Sequence, residues 1–244
     1  MNEQSPLPAL GYEGRYLVHS IFRTIQGEGP FAGDGAVFIR LVGCNLQCPL
    51  CDTEYSSTER GGLMLPQQVV GEVGAAIGET AVSLVVITGG EPFRQDLTDL
   101  VALLRDAGYR VQIETNGTMA PSDAFKEYCQ ENFGVGIVIS PKAHYVDPWL
   151  AAHAIAFKYV LSHDAIDPAD GLPINVLGRV SKRVARPPHN HLPIYVQPAD
   201  PALMPNGFEE LGAISAANHK ACVESAIRHG YRLQLQIHKH LGVE

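Results

Sequence analysis

Seven short β-rich apolar runs, most of them set apart by helix-patterned stretches, leave this chain few architectures. They are 36–41 (AVFIRL), 84–88 (LVVIT), 110–115 (RVQIET), 136–140 (GIVIS), 157–161 (FKYVL), 194–197 (IYVQ) and 232–237 (RLQLQI). Apolar residues recur at helical spacing over 66–77 and over 97–107, where Gly108 stands as a stop. Ser122 can cap a helix running to Asn132, and 209–230 holds another long helix. Strands alternating with helices predict parallel pairing through right-handed crossovers, an α/β fold. The helices are too few for eight full units, so the expectation is an incomplete, partial TIM-like barrel of mainly parallel strands. Its chemistry should sit at the C-terminal ends of the strands. The 244 residues suit a single domain. Residues 1–15, rich in Pro and Gly, read as an N-terminal extension over the surface. Residues 143–193 read as an irregular, insertion-like connection, proline- and histidine-rich over 162–193 with a short helix.

Bulk composition narrows the function. With 45% hydrophobic and 18% charged residues the chain reads as globular, and a formal charge of −8 speaks against a broad grip on nucleic acid and for a small-molecule partner. No apolar run is long enough to cross a membrane. The first residues lack a basic segment followed by an apolar one, so the expected location is cytoplasmic. Five cysteines are present and three fall within 44–51, an odd, clustered set that favours metal or redox chemistry over a disulfide framework. Cys129 and Cys222 stand in helix-patterned stretches and read as small buried apolar residues.

The segment 43–53, GCNLQCPLCDT, follows the first apolar run directly and spaces its cysteines C-x3-C-x2-C. Three thiolates on one tight loop can hold three irons of a cubane cluster and leave the fourth iron open, as a catalytic site requires. A zinc site would want a fourth ligand, and no histidine lies near in sequence. A Cys48/Cys51 dithiol would leave Cys44 unexplained. A second segment, Gly89-Gly90-Glu91-Pro92, ends the LVVIT run, where paired glycines let a ligand approach the backbone.

With these two motifs the chain resembles the radical S-adenosylmethionine superfamily. The resemblance implies a [4Fe-4S] cluster on Cys44, Cys48 and Cys51. It implies S-adenosylmethionine bound around Leu50, Cys51 and Asp52, along Gly89, Gly90 and Glu91, at Ser140, Pro141 and Lys142, and at Gln197, Pro198, Ala199 and Asp200. One-electron cleavage of that cofactor then yields a 5′-deoxyadenosyl radical, the cluster being reduced by an electron donor such as a flavodoxin or ferredoxin.

Four further segments narrow the match: FRTIQGEG at 22–29, CDT at 51–53, SPK at 140–142 and QIHKHLGVE at 236–244. Together they resemble the 7-carboxy-7-deazaguanine synthase family, from about His19 onward, with 143–193 matching poorly. That resemblance implies a lyase, commonly a homodimer, that turns 6-carboxy-5,6,7,8-tetrahydropterin into 7-carboxy-7-deazaguanine and ammonia on the route to queuosine and related 7-deazapurines. It implies substrate contacts from Ile25, Gln26, Gly27, Glu28, Arg40, Thr88, Glu114, His238 and Glu244, and Mg²⁺ on the Thr53 hydroxyl. The residue chemistry is compatible. An amide and a carboxylate between glycines can match a pterin edge, a guanidinium fork suits a carboxylate, and magnesium prefers hard oxygen ligands. Two rivals remain. A glycyl-radical activase shares the cysteine spacing but has no use for QGEG, CDT or the His-Lys tail. A zinc-stabilised, non-catalytic binding module gives no reason for GGEP.

Overall fold

The computed structural model describes residues 4, 14–56, 61–132, 134–179, 183–189, 191–201 and 208–243. Their strands form one nine-stranded sheet. It begins with an antiparallel unit: β1 (Tyr16–Ile25) pairs with β2 (Gly35–Leu41) on one side and with the short β3 (Gly62–Met64) on the other. From β2 onward every pairing is parallel, through β4 (Leu84–Gly89), β5 (Arg110–Thr115), β6 (Val135–Ile139), β7 (Ala154–Leu161), β8 (Ile194–Pro198) and β9 (Arg232–Leu233). The seven parallel strands are the seven apolar runs of the sequence, in chain order, which gives the α/β partial barrel.

The parallel strands β2 and β4 to β8 are largely buried on both faces, so their sequences are nearly continuously apolar rather than alternating, whereas the edge strand β9 is exposed. On the outer face, Val37, Ile39, Leu41, Val85, Ile87, Val111 and Ile113 join the main core. Against them pack Val69, Val73 and Ile77 of α1 (Pro66–Ile77) and Leu100, Val101 and Leu104 of α2 (Thr98–Asp106). Leu104 is fully buried, and truncating it to Ala costs about 2–5 kcal/mol. Ala36, Leu84 and Val86, from alternate positions of β2 and β4, form a second small cluster with Phe31 and Phe38 near the starts of those strands. The inner face toward their C-terminal ends is left polar.

Caps fix the crossovers. The Asp96 carboxylate accepts from the Thr98 backbone N–H at 3.0 Å and from the Ser122 hydroxyl at 2.9 Å. Ser122 in turn caps α3 (Asp123–Glu131) by accepting from Phe125 N–H at 3.1 Å.

Several expectations change. The strand over 16–25 was not anticipated, because an antiparallel partner lies outside a strand–helix alternation. Within 143–193, α4 (Pro148–His153) and β7 are regular, so only 162–193 is irregular. The long helix α5 spans Phe208–His229. The run 232–237 pairs as a strand for two residues only, and the chain then turns into α6 (Ile237–Leu241). Side-chain bonds draw it off the ladder: Gln234 reaches Gln197 at 3.1 Å and Gln236 reaches Glu28 at 2.6 Å. Gln4, in the segment read as trailing over the surface, is half-buried. Its amide donates to Thr53 C=O at 3.0 Å and accepts from Tyr55 N–H at 2.7 Å. No helix among the described residues is long and apolar enough to cross a membrane.

Candidate active site

The segment 42–56 leaves the C-terminal end of β2 and is held as a tight loop. Val42 N–H donates to Leu17 C=O at 3.0 Å and Gly43 N–H to Tyr55 C=O at 2.8 Å. The neighbouring GGEP turn is pressed onto it, with Glu91 N–H donating to Gly43 C=O at 2.9 Å. A Cβ on Gly90 would stand 2.2 Å from Gly43 O and 2.7 Å from Cys44 N. Gly90 is therefore required first by the approach of two protein segments, and only through it by the approach of a ligand.

Cys44, Cys48 and Cys51 all line one cavity of about 440 Å³, within the range of small-molecule sites. Leu46 N–H points at Cys44 Sγ at 3.4 Å and the Asn116 amide at 3.9 Å, while Arg179 hydrogen-bonds Cys48. Burial pushes the Cys44 thiol up to about 12 and raises Cys48 and Cys51 as well. A redox dithiol needs a lowered thiol pKa, so the dithiol reading loses its chemical basis. Metal-bound thiols, by contrast, are deprotonated by the metal itself. Three thiols, N–H donors aimed at sulfur, and the cations Lys142 and Arg179 beside Cys48 fit an anionic iron–sulfur cluster. Among the described residues no three His, Cys, Asp or Glu side chains converge closely enough for a single metal ion.

Glu91 departs from its expected role as a cofactor contact. Its carboxylate is fully buried and accepts from the Thr115 hydroxyl at 2.6 Å, Asn116 N–H at 2.8 Å and Phe93 N–H at 3.1 Å. It is a strut between the ends of β4 and β5. Burial raises it to about 7 despite these donors. Leu50, Pro141, Pro198 and Ala199 also do not line the cavity. Leu50 instead donates its N–H to Leu177 C=O at 3.1 Å. Gly89, Gly90, Cys51, Asp52, Ser140, Lys142, Gln197 and Asp200 do line it. Lys142 Nζ is tethered to Ser140, at 2.5 Å from its hydroxyl and 2.9 Å from its carbonyl.

The far end of the cavity is built from the inner face of the barrel. Lys158 of β7, 5% exposed, pairs with Glu28 and stands 3.6 Å from Glu114. Burial opposes ionisation of Glu28, but the adjacent ammonium overcomes it and holds the carboxyl at about 2. Gln26 and Gln112 donate to Glu114 at 3.1 and 3.0 Å. Ile25, Gln26, Glu28, Arg40, Thr88, Glu114 and His238 all face this volume. Arg40 lies over the Phe22 ring, 5.1 Å from its centroid. His238 belongs to α6 rather than to a strand, and Gly27 makes room for it, since a Cβ there would sit 2.0 Å from the imidazole Nδ1. Burial lowers the His238 pKa and favours the neutral ring. Glu244 lies outside the described residues. Lys158 and Gln236 were missed from sequence. A lone lysine within an apolar strand, at an inward position, was the available clue for the first.

Thr53 sits at the cavity wall, its hydroxyl donating to Asp52 at 3.3 Å. Lys239 ties Asp52, at 3.0 Å, to Asp200, at 2.9 Å, so α6 clips the CDT segment in place. A magnesium ion here would need its remaining oxygens from substrate or water, which suits its usual coordination.

Fold and thiol-lined cavity together define a radical S-adenosylmethionine protein. Residues 38–151, which carry both the cysteine loop and GGEP, match the Radical SAM superfamily. The chain is 40% identical over 236 residues to the 7-carboxy-7-deazaguanine synthase of Rhodospirillum rubrum, covering 93% of this chain and 92% of that protein. It is 34% identical to the protein of the same name from Rickettsia prowazekii, at 93% and 88% coverage. The crystal structure of QueE from Escherichia coli superposes with a TM-score of 0.62 at 25% identity, over 91% of this chain and 93% of that one. This chain belongs to the 7-carboxy-7-deazaguanine synthase family.

Proposed function

We propose that the chain converts 6-carboxy-5,6,7,8-tetrahydropterin to 7-carboxy-7-deazaguanine and ammonia, as a carbon–nitrogen lyase of 7-deazapurine biosynthesis. The observation that carries this reading is one cavity with three thiols at one end and the buried Glu28–Lys158–Glu114 group at the other. Cys44, Cys48 and Cys51 would hold the [4Fe-4S] cluster, and the Gly89–Gly90 turn, Ser140 and Lys142 would border S-adenosylmethionine. Bound there and given one electron, these groups would supply 5′-deoxyadenosyl-radical chemistry for hydrogen abstraction.

The chain's own residues position the pterin and keep out water. Lys158 keeps Glu28 ionised, so it accepts from N–H donors, and with Glu114 it matches the amino-pyrimidine edge of a pterin. Arg40, its plane fixed over Phe22, offers a fork to the substrate carboxylate. The Thr53 hydroxyl would hold Mg²⁺ with substrate oxygens and neutralise the remaining carboxylate charge. Neutral His238 closes the volume from α6.

Reducing equivalents would come from a flavodoxin or ferredoxin, in the cytoplasm, where the loop thiols stay reduced. A homodimer is proposed as well. Ile227 of α5, Leu233 of the edge strand β9 and Leu241 of α6 are exposed apolar side chains, available to a second copy.

Anaerobic reconstitution followed by iron, sulfide and zinc analysis, then a pterin-binding titration, tests the proposal. The expected result is about one cubane per chain and saturable pterin binding that Glu114→Ala weakens. Zinc in place of iron would favour the binding module, and a loaded cluster without pterin affinity would favour the activase.

A further inference from the structure

We propose that the turn Val176–Arg179, in the irregular connection between β7 and β8, is a clasp on the cluster loop, and that Arg179 is a positioning residue for Cys48 that tunes a cluster bound there. The inference rests on the cluster assignment above and deepens it. It also gives a task to a connection whose sequence points to none.

The turn closes on itself through a bridge between Val176 and Arg179, and three of its residues contact the loop. Leu177 C=O accepts from Leu50 N–H at 3.1 Å, and the Leu177 side chain lines the cavity. To present that carbonyl Leu177 holds φ at 51°, the one left-handed non-glycine residue among those described. Gly178, at φ 73°, lies flat against Pro49 and Leu50, so that an added Cβ would stand 3.3 Å from Pro49 Cβ. Arg179 Nη1 donates to Gln47 C=O at 3.2 Å, and the guanidinium also hydrogen-bonds Cys48. Residues on both sides of Cys48 are thus held from one short turn.

The charge of Arg179 is not spent elsewhere. Arg183 and Arg186 of the same connection pair with Asp167 and Asp170, whereas Arg179 pairs with no carboxylate among the described residues. Its Nε is buried with no hydrogen-bond partner. The other cation beside Cys48, Lys142, arrives from the end of β6 and is tethered to Ser140. A cubane on three thiolates is anionic and gains a further negative charge on reduction. An N–H donor and a fixed positive charge at a ligand sulfur favour the reduced form, and a covering turn limits solvent. Arg179 is not among the residues that line the cavity and acts through the Cys48 sulfur.

Arg179→Gln and Arg179→Lys separate hydrogen bond from charge, and Gly178→Ala loosens the turn with Arg179 intact. Amide exchange across 46–51 is read on the cluster-free protein. The midpoint potential and the rate of cluster loss to a chelator are read after reconstitution. We expect several-fold faster exchange at Leu50 in Arg179→Gln and Gly178→Ala, several-fold faster cluster loss in both, and a lower midpoint in Arg179→Gln. Arg179→Lys should restore part of the midpoint. Parental exchange and parental midpoint in Arg179→Gln and Gly178→Ala would overturn the clasp. A parent chain that takes up no iron and sulfide would instead overturn the cluster assignment beneath it.

Discussion

Lys158→Met is the sharpest perturbation of the cavity, because the side chain it removes sits between two carboxylates. Glu28 and Glu114 retain only 12% and 17% side-chain exposure, against 6% for Lys158. Removing one partner of a buried ion pair costs about 3–5 kcal/mol, since the remaining charge is left desolvated. Residual exposure of both carboxylates and their amide donors from Gln236, Gln26 and Gln112 put the expected loss at the lower end, about 3 kcal/mol. For a chain of this size that is a fall of roughly 6–12 °C in Tm. Urea denaturation of the cluster-free protein, followed by circular dichroism at neutral pH, measures it. Adding Glu28→Gln to Lys158→Met removes one stranded charge and should return about half of the loss. A single variant within about 0.5 kcal/mol of the parent, or a double variant no better than the single, would refute the argument that Lys158 is what offsets the burial of the Glu28 carboxylate.

Three further predictions follow from the site. Gly90→Ala should lower both iron content and S-adenosylmethionine affinity, because its Cβ must displace the backbone of Gly43 and Cys44. Full cluster loading with parental affinity in a calorimetric titration would count against that. Thr53→Ala should blunt the activation of turnover by added Mg²⁺ while leaving cluster content and uncoupled S-adenosylmethionine cleavage intact, and Thr53→Ser should retain much of the response. A parental magnesium curve in the Ala variant would make Thr53 a turn residue. Glu91 is raised from 4.5 to about 7 in the fold, so the folded state binds the extra proton. Its contribution is present below pH 4.5 and is lost as pH rises through 7, worth about 3 kcal/mol. Glu28, lowered to about 2, has the opposite dependence and loses its contribution only as pH falls below 4.5. Glu91 should therefore cost the cluster-free protein stability from pH 5 to pH 8, against the opposite contribution of His238, and an undiminished slope in Glu91→Gln would contradict the assignment.

What the sequence made legible was local. The cysteine spacing, GGEP and the parallel strands each occupy one short stretch whose pattern reports its own geometry. The capping role of Ser122 was legible for the same reason, since its partner Phe125 is three residues away. The charged end of the cavity was not. Lys158 and Glu28 meet 130 residues apart in sequence, through the curvature of the barrel, and FKYVL reads as one more apolar strand. β1 was missed because HSIFRT mixes polar and apolar residues on an antiparallel strand that no crossover announces. The tail misled in the other direction. RLQLQI alternates as a strand should, yet Gln234 and Gln236 are bound to Gln197 and Glu28, and the pairing stops at Leu233. Glu91 looked like a ligand contact because its motif is one, while its side chain answers to Thr115 and Asn116 behind the turn.

The account stands most directly on one measurement: anaerobic turnover of the reconstituted protein with 6-carboxy-5,6,7,8-tetrahydropterin, S-adenosylmethionine, Mg²⁺ and a reductant, with the product read by absorbance and mass. It predicts 7-carboxy-7-deazaguanine and one equivalent of ammonia, dependent on the cluster and absent when Cys44, Cys48 and Cys51 are all replaced by Ala. Unchanged pterin from a fully loaded, S-adenosylmethionine-cleaving enzyme would contradict it.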